Sequence, residues 1–402
     1  MGASLRAAGG VLVVGVLVAG VSACGSSTPT QPIQQAVVTP SPANPSFESR
    51  PAQTAVITLG DSYISGEAGR WYGNATHFFG DRLGTDRAYD AATGQYLPDK
   101  VYIGGSYANG CNRSDVSESA SAGIKVDKHL NIACSGAETQ NVLRAAAGGK
   151  SFKGEQPQDD QLAELARIYD IKAVVLSIGG NDLGFGDIIG ACVQGFLPPF
   201  VRFTCHDEQQ KAYDKRLPTV KANLGKVLDD VKATMAGAGY KPGEYKFIFQ
   251  SYPAPIPAGA DNRYPEWGYS RVNDGGCPLF NSDSDWAHNV LVNGIADTWK
   301  QIAAGHQAQY LDLRQVGKGH EVCATTASHS TGSPNPVSSE WFRFLTVGVS
   351  QGQMQESLHP NAYAQKVLGV CLTKIYGQKG AAYQCTNTPG QFLEGIKIAA
   401  EK

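Results

Sequence analysis

The chain has 402 residues, 42% of them hydrophobic and 17% charged, with a formal net charge of -2. That length buries a substantial core and suits one large α/β domain or two average ones. The near balance of charge, without a cluster of lysine or arginine, argues against nucleic acid and polyanionic partners.

Arg6 precedes an almost unbroken apolar run from Val11 to Ala19, then Val21-Ser22-Ala23-Cys24. Residues 1–24 read as an export leader whose apolar stretch is too short for an ordinary spanning helix. Its end resembles the bacterial lipobox, in which a small-residue tripeptide precedes the cysteine that receives a diacylglycerol. Cys24 is therefore the expected lipidation site, a membrane anchor far firmer than a single myristoyl chain. The expected location is the outer face of the cell membrane, with secretion as the alternative. Residues 25–53, rich in Ser, Thr, Pro and Gln, read as a disordered, extended tether, and residues 54–402 as the folded domain.

Within that domain, Ala55–Leu59 is short, apolar and partly β-branched, the pattern of a buried parallel strand. Gly60 permits a sharp exit, Asp61 suits the turn, and Ser62 stands where a helix would begin, beside free backbone N–H groups. A long stretch rich in glycine, proline and aromatics follows over 67–121. Strand and helix then alternate: apolar residues 126–134 lead to Gly136, a helical stretch covers 161–169, and a strand over 173–178 ends in Gly179-Gly180-Asn181-Asp182. A helix over 219–236, a strand over 246–250, a second long loop over 252–284, a helix over 285–304 and a strand over 309–313 complete the rhythm. The final helix, with Ala364, Val367, Leu368, Cys371, Leu372 and Ile375 on a 3.6-residue period, starts after His359-Pro360 and stops before Gly377. This alternation predicts a parallel sheet covered on both faces, with a site at the carboxyl ends of its strands, shaped by the two long loops.

Four segments carry chemistry. Ser62 offers a nucleophile. Gly136 presents an unobstructed N–H, and the Asn181 amide supplies a donor. With the Ser62 N–H they make three donors that can be fixed in advance around a tetrahedral oxyanion. His359 supplies the imidazole that takes the serine proton and returns it to the departing alcohol. His320-Glu321 opens like a zinc-protease motif, but Ala324 stands where the second histidine belongs, so His320 is read as packing. No dinucleotide fingerprint or phosphate-loop lysine accompanies Gly179-Gly180. Trp71, Tyr72, Phe78, Phe79 and the run from Phe196 to Phe203 are candidates for an acyl-chain groove or for ordinary core.

Eight cysteines remain beside Cys24, an even set that implies disulfides in an exported chain. Pairing of sequence neighbours is expected: Cys111 with Cys134, Cys192 with Cys205, Cys277 with Cys323, and Cys371 with Cys385.

Taken in order, the four segments resemble the GDSL-type serine esterases, or SGNH hydrolases. Gly60-Asp61-Ser62 through Gly66 resembles the first block of that family, Gly136 the second, Gly179-Gly180-Asn181-Asp182 the third and His359 the last. Gly66-Glu67, Cys111-Asn112-Arg113-Ser114 and Ala133 to Ala137 look particularly like secreted actinobacterial members. The resemblance implies a flavodoxin-like three-layer α/β/α fold with a central parallel sheet, and hydrolysis of carboxylic esters without metal or cofactor. Two positions depart from the family pattern. Tyr63 replaces a leucine that is not catalytic, and Glu356 replaces the aspartate three residues before the histidine. Either Glu356 or a backbone carbonyl then orients His359.

The sequence thus points to an exported esterase or lipase, membrane-tethered, acting on lipid or acylated envelope substrates through an acyl-enzyme on Ser62. The alternatives are an acyltransferase on the same scaffold and a non-catalytic lipid- or glycan-binding lipoprotein.

Overall fold

In Thr54–Gly60 (β1), Ala55, Val56, Ile57 and Leu59 are all fully buried. A strand apolar on both faces requires cover on both sides. It pairs in parallel with Lys128–Asn131 (β2) and with Asp170–Ser177 (β3). Lys246–Gln250 (β4), Gln309–Asp312 (β5) and Ala382–Thr386 (β6) extend the sheet in parallel, and Lys397–Ala400 (β7) closes it antiparallel. The computed structural model describes residues 50–76, 84–198, 201–330, 332–346 and 351–401. The leader expected over 1–24 with Cys24, and residues 25–49 of the tether expected over 25–53, lie outside the described residues, as do Phe78 and Phe79.

The strand order is β2-β1-β3-β4-β5-β6-β7. Its first five strands follow the flavodoxin-like order, and the direction of winding reverses between β1 and β3, where open α/β sheets bind their ligands. The main helices flanking the sheet are Ser62–Ser65 (α1), Gln158–Ile168 (α2), Phe185–Phe196 (α3), His206–Gly237 (α4), Asn293–Gly305 (α5) and Ala362–Tyr376 (α6). The expected α/β/α architecture is present.

Several boundaries differ from the sequence expectation. The helix expected from residue 219 begins at His206, with Pro218 inside it. Its buried stripe of Val220, Leu224, Val227, Leu228 and Val231 anchors the second half, whereas the first half is polar and gives no period to read. The helix expected over 285–304 is interrupted by a π-helical stretch, Ala287–Val292. Arg50, within the stretch expected as tether, stacks on Tyr240 at 3.6 Å and pairs with Glu244. A third stretch, irregular over its described residues 313–330, 332–346 and 351–361 apart from a short 3₁₀ turn, delivers His359 and was not singled out from the sequence.

All eight cysteines of the domain are paired as sequence neighbours: Cys111–Cys134, Cys192–Cys205, Cys277–Cys323 and Cys371–Cys385.

Candidate active site

The exit of β1 is fixed before any catalytic side chain appears. Asp61 N–H donates to Ser177 O at 3.0 Å, binding the end of β1 to the end of β3. Gly60 has φ +134°, and a Cβ there would lie 1.9 Å from Ser177 O, so only glycine fits. Asp61 caps α1 by accepting from Tyr63 N at 3.1 Å. Ser62, the first residue of α1, is 7% exposed.

His359 arrives on a segment that hydrogen-bonds back on itself. Arg343 N donates to His359 O at 2.9 Å, Leu358 N to Arg343 O at 2.8 Å, and Tyr63 Oη to Leu358 O at 2.9 Å. Leu358 has φ +60°, a left-handed conformation uncommon for a leucine. The result places His359 Nε2 2.6 Å from Ser62 Oγ and His359 Nδ1 2.9 Å from Ser357 O. A carbonyl oxygen only accepts, so Nδ1 carries the proton and Nε2 offers its lone pair to the serine hydroxyl. That is the tautomer a general base requires. Protein crowds the ring although one edge stays open to solvent. Burial dominates and lowers its pKa to about 4, against the smaller opposing effect of the Ser357 carbonyl.

Glu356 does not orient the histidine. It is fully buried and faces the other way, accepting from Trp71 Nε1 at 3.0 Å and Gln353 N at 2.8 Å, with Arg70 Nη1 at 3.2 Å and Tyr102 Oη at 3.3 Å. The expected alternative of Glu356 as the third member is corrected in favour of the Ser357 carbonyl. Spacing along the chain could not reveal this, because the 3₁₀ turn Met354–Glu356 and the left-handed Leu358 turn the two side chains apart.

Gly136 and Asn181 stand on adjoining loops. Asn181 Nδ2 donates to Ala137 O at 2.8 Å, and Asp182 accepts from Thr139 N at 3.0 Å, so the loops after β2 and β3 are cross-linked. Gly136 has φ +82°. Among the described residues, neither the Ser62 nor the Gly136 N–H donates to a backbone carbonyl.

Sequence reasoning missed a polar bridge beneath this group. Gly180 N donates to Tyr252 Oη at 3.0 Å, and Tyr252 Oη in turn bonds Asp61 Oδ2. This connects the ends of β1, β3 and β4. Burial raises the Asp61 pKa to about 7, an effect that the Tyr252 hydrogen bond reduces. Tyr252 gave no signal beyond its place at the end of a strand.

Beside the Ser62–His359 pair lies an apolar cleft. Tyr63 and Leu358, the neighbours of the pair, form part of its wall; Phe185, Ile188, Ile189 and Trp286 form more. Of the aromatic set offered for an acyl groove or for ordinary core, the described members Trp71, Tyr72 and Phe196 take the packing role. Trp71 is core, Tyr72 stacks on Tyr363 at 5.3 Å, and Phe196 packs on Phe280 at 5.0 Å. His320 lies flat against Trp341 at 3.8 Å and bonds Ser339 O at 2.8 Å, the packing role expected of it. Cys192, Cys205 and Asp283 cluster closely, but the two sulfurs are joined to each other and not free to bind a metal.

A model of the GDSL-like lipase/acylhydrolase family matches residues 102–367, about two thirds of the sequence, taking in Gly136, Asn181 and His359 and beginning after Ser62. The chain belongs to the GDSL-like lipase/acylhydrolase family. As a member of that family it is a carboxylic ester hydrolase. Similar solved structures include an extracellular lipase from Streptomyces rimosus, at 22% identity and TM-score 0.46, covering 81% of this chain and 100% of that one. A phospholipase A1 from Streptomyces albidoflavus shows 20% identity and TM-score 0.44, covering 80% and 98%. A carbohydrate acetylesterase from Sinorhizobium meliloti shows 13% identity and TM-score 0.30, covering 81% and 97%. Among curated proteins, none matches the chain.

Proposed function

We propose that the chain is an exported, lipid-anchored esterase that forms an acyl-enzyme on Ser62. The observation that carries this is the 2.6 Å approach of His359 Nε2 to Ser62 Oγ, at the edge of an apolar cleft. Ser62 Oγ attacks the ester carbonyl while Nε2 takes its proton. The carbonyl oxygen becomes an anion held by the N–H groups of Ser62 and Gly136 and by Asn181 Nδ2. Collapse expels the alcohol, which receives the proton from His359, and water repeats the sequence on the acyl-enzyme. The hydroxyl, imidazole and N–H groups of the chain, with water, carry every step, so the scheme calls for no metal or cofactor.

The cleft suits the acyl part of the substrate. On p-nitrophenyl esters of increasing chain length, kcat/KM should rise with acyl length, and Ile188→Trp should suppress the longer esters while sparing acetate. An acetate preference unaffected by Ile188→Trp would assign the acyl chain to another surface.

Export and anchoring rest on the leader over 1–24, the lipobox-like residues before Cys24, and four disulfides, which persist in oxidising compartments. Among the described residues no helix is long and apolar enough to cross a membrane. Cells expressing the chain should incorporate labelled palmitate into it, and Cys24→Ser should abolish the incorporation. Equal labelling of the two would remove Cys24 as the anchor.

A further inference from the structure

Large apolar side chains left in solvent are concentrated at one edge of the apolar cleft. Val201 is 74% exposed, Phe203 55% and Trp267 73%, with Leu197 and Tyr269 also exposed. Two loops bring them together. Arg202 Nε donates to Phe196 O at 2.8 Å, and its guanidinium lies 4.1 Å from the Phe196 ring, 5.5 Å from Phe280 and 6.0 Å from Trp267. Phe203 N donates to Gly195 O at 3.1 Å, fixing the first loop against the end of α3. Gly268 has φ +93°, and a Cβ built there would meet no atom within 4 Å, so the Trp267–Tyr269 turn projects clear of the body.

This rim continues the cleft. Helix α3 lines the cleft with Phe185, Ile188, Ile189 and Cys192, and its last turn carries Phe196 under the rim. Leu279 likewise faces the cleft, while its neighbour Phe280 supports the rim. Exposed apolar side chains grouped at protruding loop tips mark an interaction site. The mixture is that of a membrane interface: Trp and Tyr rings with one polar end, and aliphatic residues beside them. Arg202 Nη2 is buried, so the guanidinium packs the rim from beneath.

We propose that Leu197, Val201, Phe203, Trp267 and Tyr269 dock on a phospholipid surface. Trp267, Tyr269, Val201 and Phe203 enter the interfacial layer, and an acyl chain passes along α3 into the cleft. The docking stands without the esterase reading; the passage of the acyl chain rests on it.

Tryptophan emission tests the docking, because Trp71, Trp286, Trp299 and Trp341 are all buried and only Trp267 is exposed. The full chain carrying Ser62→Ala is mixed with phosphatidylcholine vesicles containing a minor share of phosphatidylglycerol and brominated acyl chains. Trp267 emission should shift to the blue and be quenched, and Val201→Asp with Phe203→Asp should abolish both effects. With Ser62 intact, the same double variant should raise the apparent KM for a vesicle-embedded ester about tenfold or more, leaving soluble p-nitrophenyl acetate turnover unchanged. Unchanged emission on vesicles would overturn the proposal, as would a concentration-dependent dimer that shifts Trp267 without lipid. Failure of docking with soluble ester still cleaved removes only the surface, whereas docking without any ester cleavage removes only the hydrolase reading.

Discussion

Ser62→Ala and His359→Ala should each lower ester turnover by about four to six orders of magnitude. The two side chains act as a unit, so the double variant should be scarcely worse than either single one. Ser62→Ala removes the attacking atom. His359→Ala removes the base that takes the hydroxyl proton; Glu356 faces away, and the Ser357 carbonyl is too weakly basic to replace an imidazole. A fluorophosphonate should modify the wild-type serine and neither variant. Because burial draws the His359 pKa down to about 4, the base stays neutral and competent through mildly acid conditions. The acid limb of kcat/KM should therefore lie near pH 4 instead of near the usual histidine value. The same shift affects stability. The unfolded chain takes up this proton at higher pH than the folded one, so stability falls as pH drops from about 6.5 towards 4. Retention of most activity in pure Ser62→Ala protein would defeat the whole assignment.

Glu356→Ala should cost stability rather than chemistry. The carboxylate sits fully buried among Arg70, Trp71, Tyr102 and the Gln353 N–H. Breaking one partner out of a buried ionic network costs about 3–5 kcal/mol, because the remaining charge and donors are left without compensation. Arg70 keeps its 2.9 Å contact with Asp86, which places the expected loss towards the lower end. Glu356→Gln should lose less, since it retains acceptors for Trp71 and Gln353. In either variant the protein that remains folded should label with fluorophosphonate at nearly the wild-type rate. A collapse of kcat with an unchanged melting temperature would instead return Glu356 to the catalytic group.

These two residues show what could be read from the sequence. Ser62 was legible because an apolar strand, a glycine turn and a serine are consecutive and place the hydroxyl through local geometry alone. His359 was legible as a residue, but its orientation depends on Leu358 at positive φ and on a carbonyl, neither of which is written in residue type. The sheet emerged from β-branched runs at regular intervals. The first half of α4 did not, because it is polar and contains Pro218. The wall of the cleft was illegible: α3, residues 252–256 and residues 279–295 are distant in sequence and meet only through the packing of helices on the sheet. Disulfide pairing between neighbours was recoverable because each closed loop is short, with separations from 13 to 46 residues.

Ser62 and His359 are 297 positions apart, near the opposite ends of the folded domain. A polypeptide still emerging from a ribosome holds its hydroxyl without its imidazole, so reactivity begins only when synthesis is nearly complete.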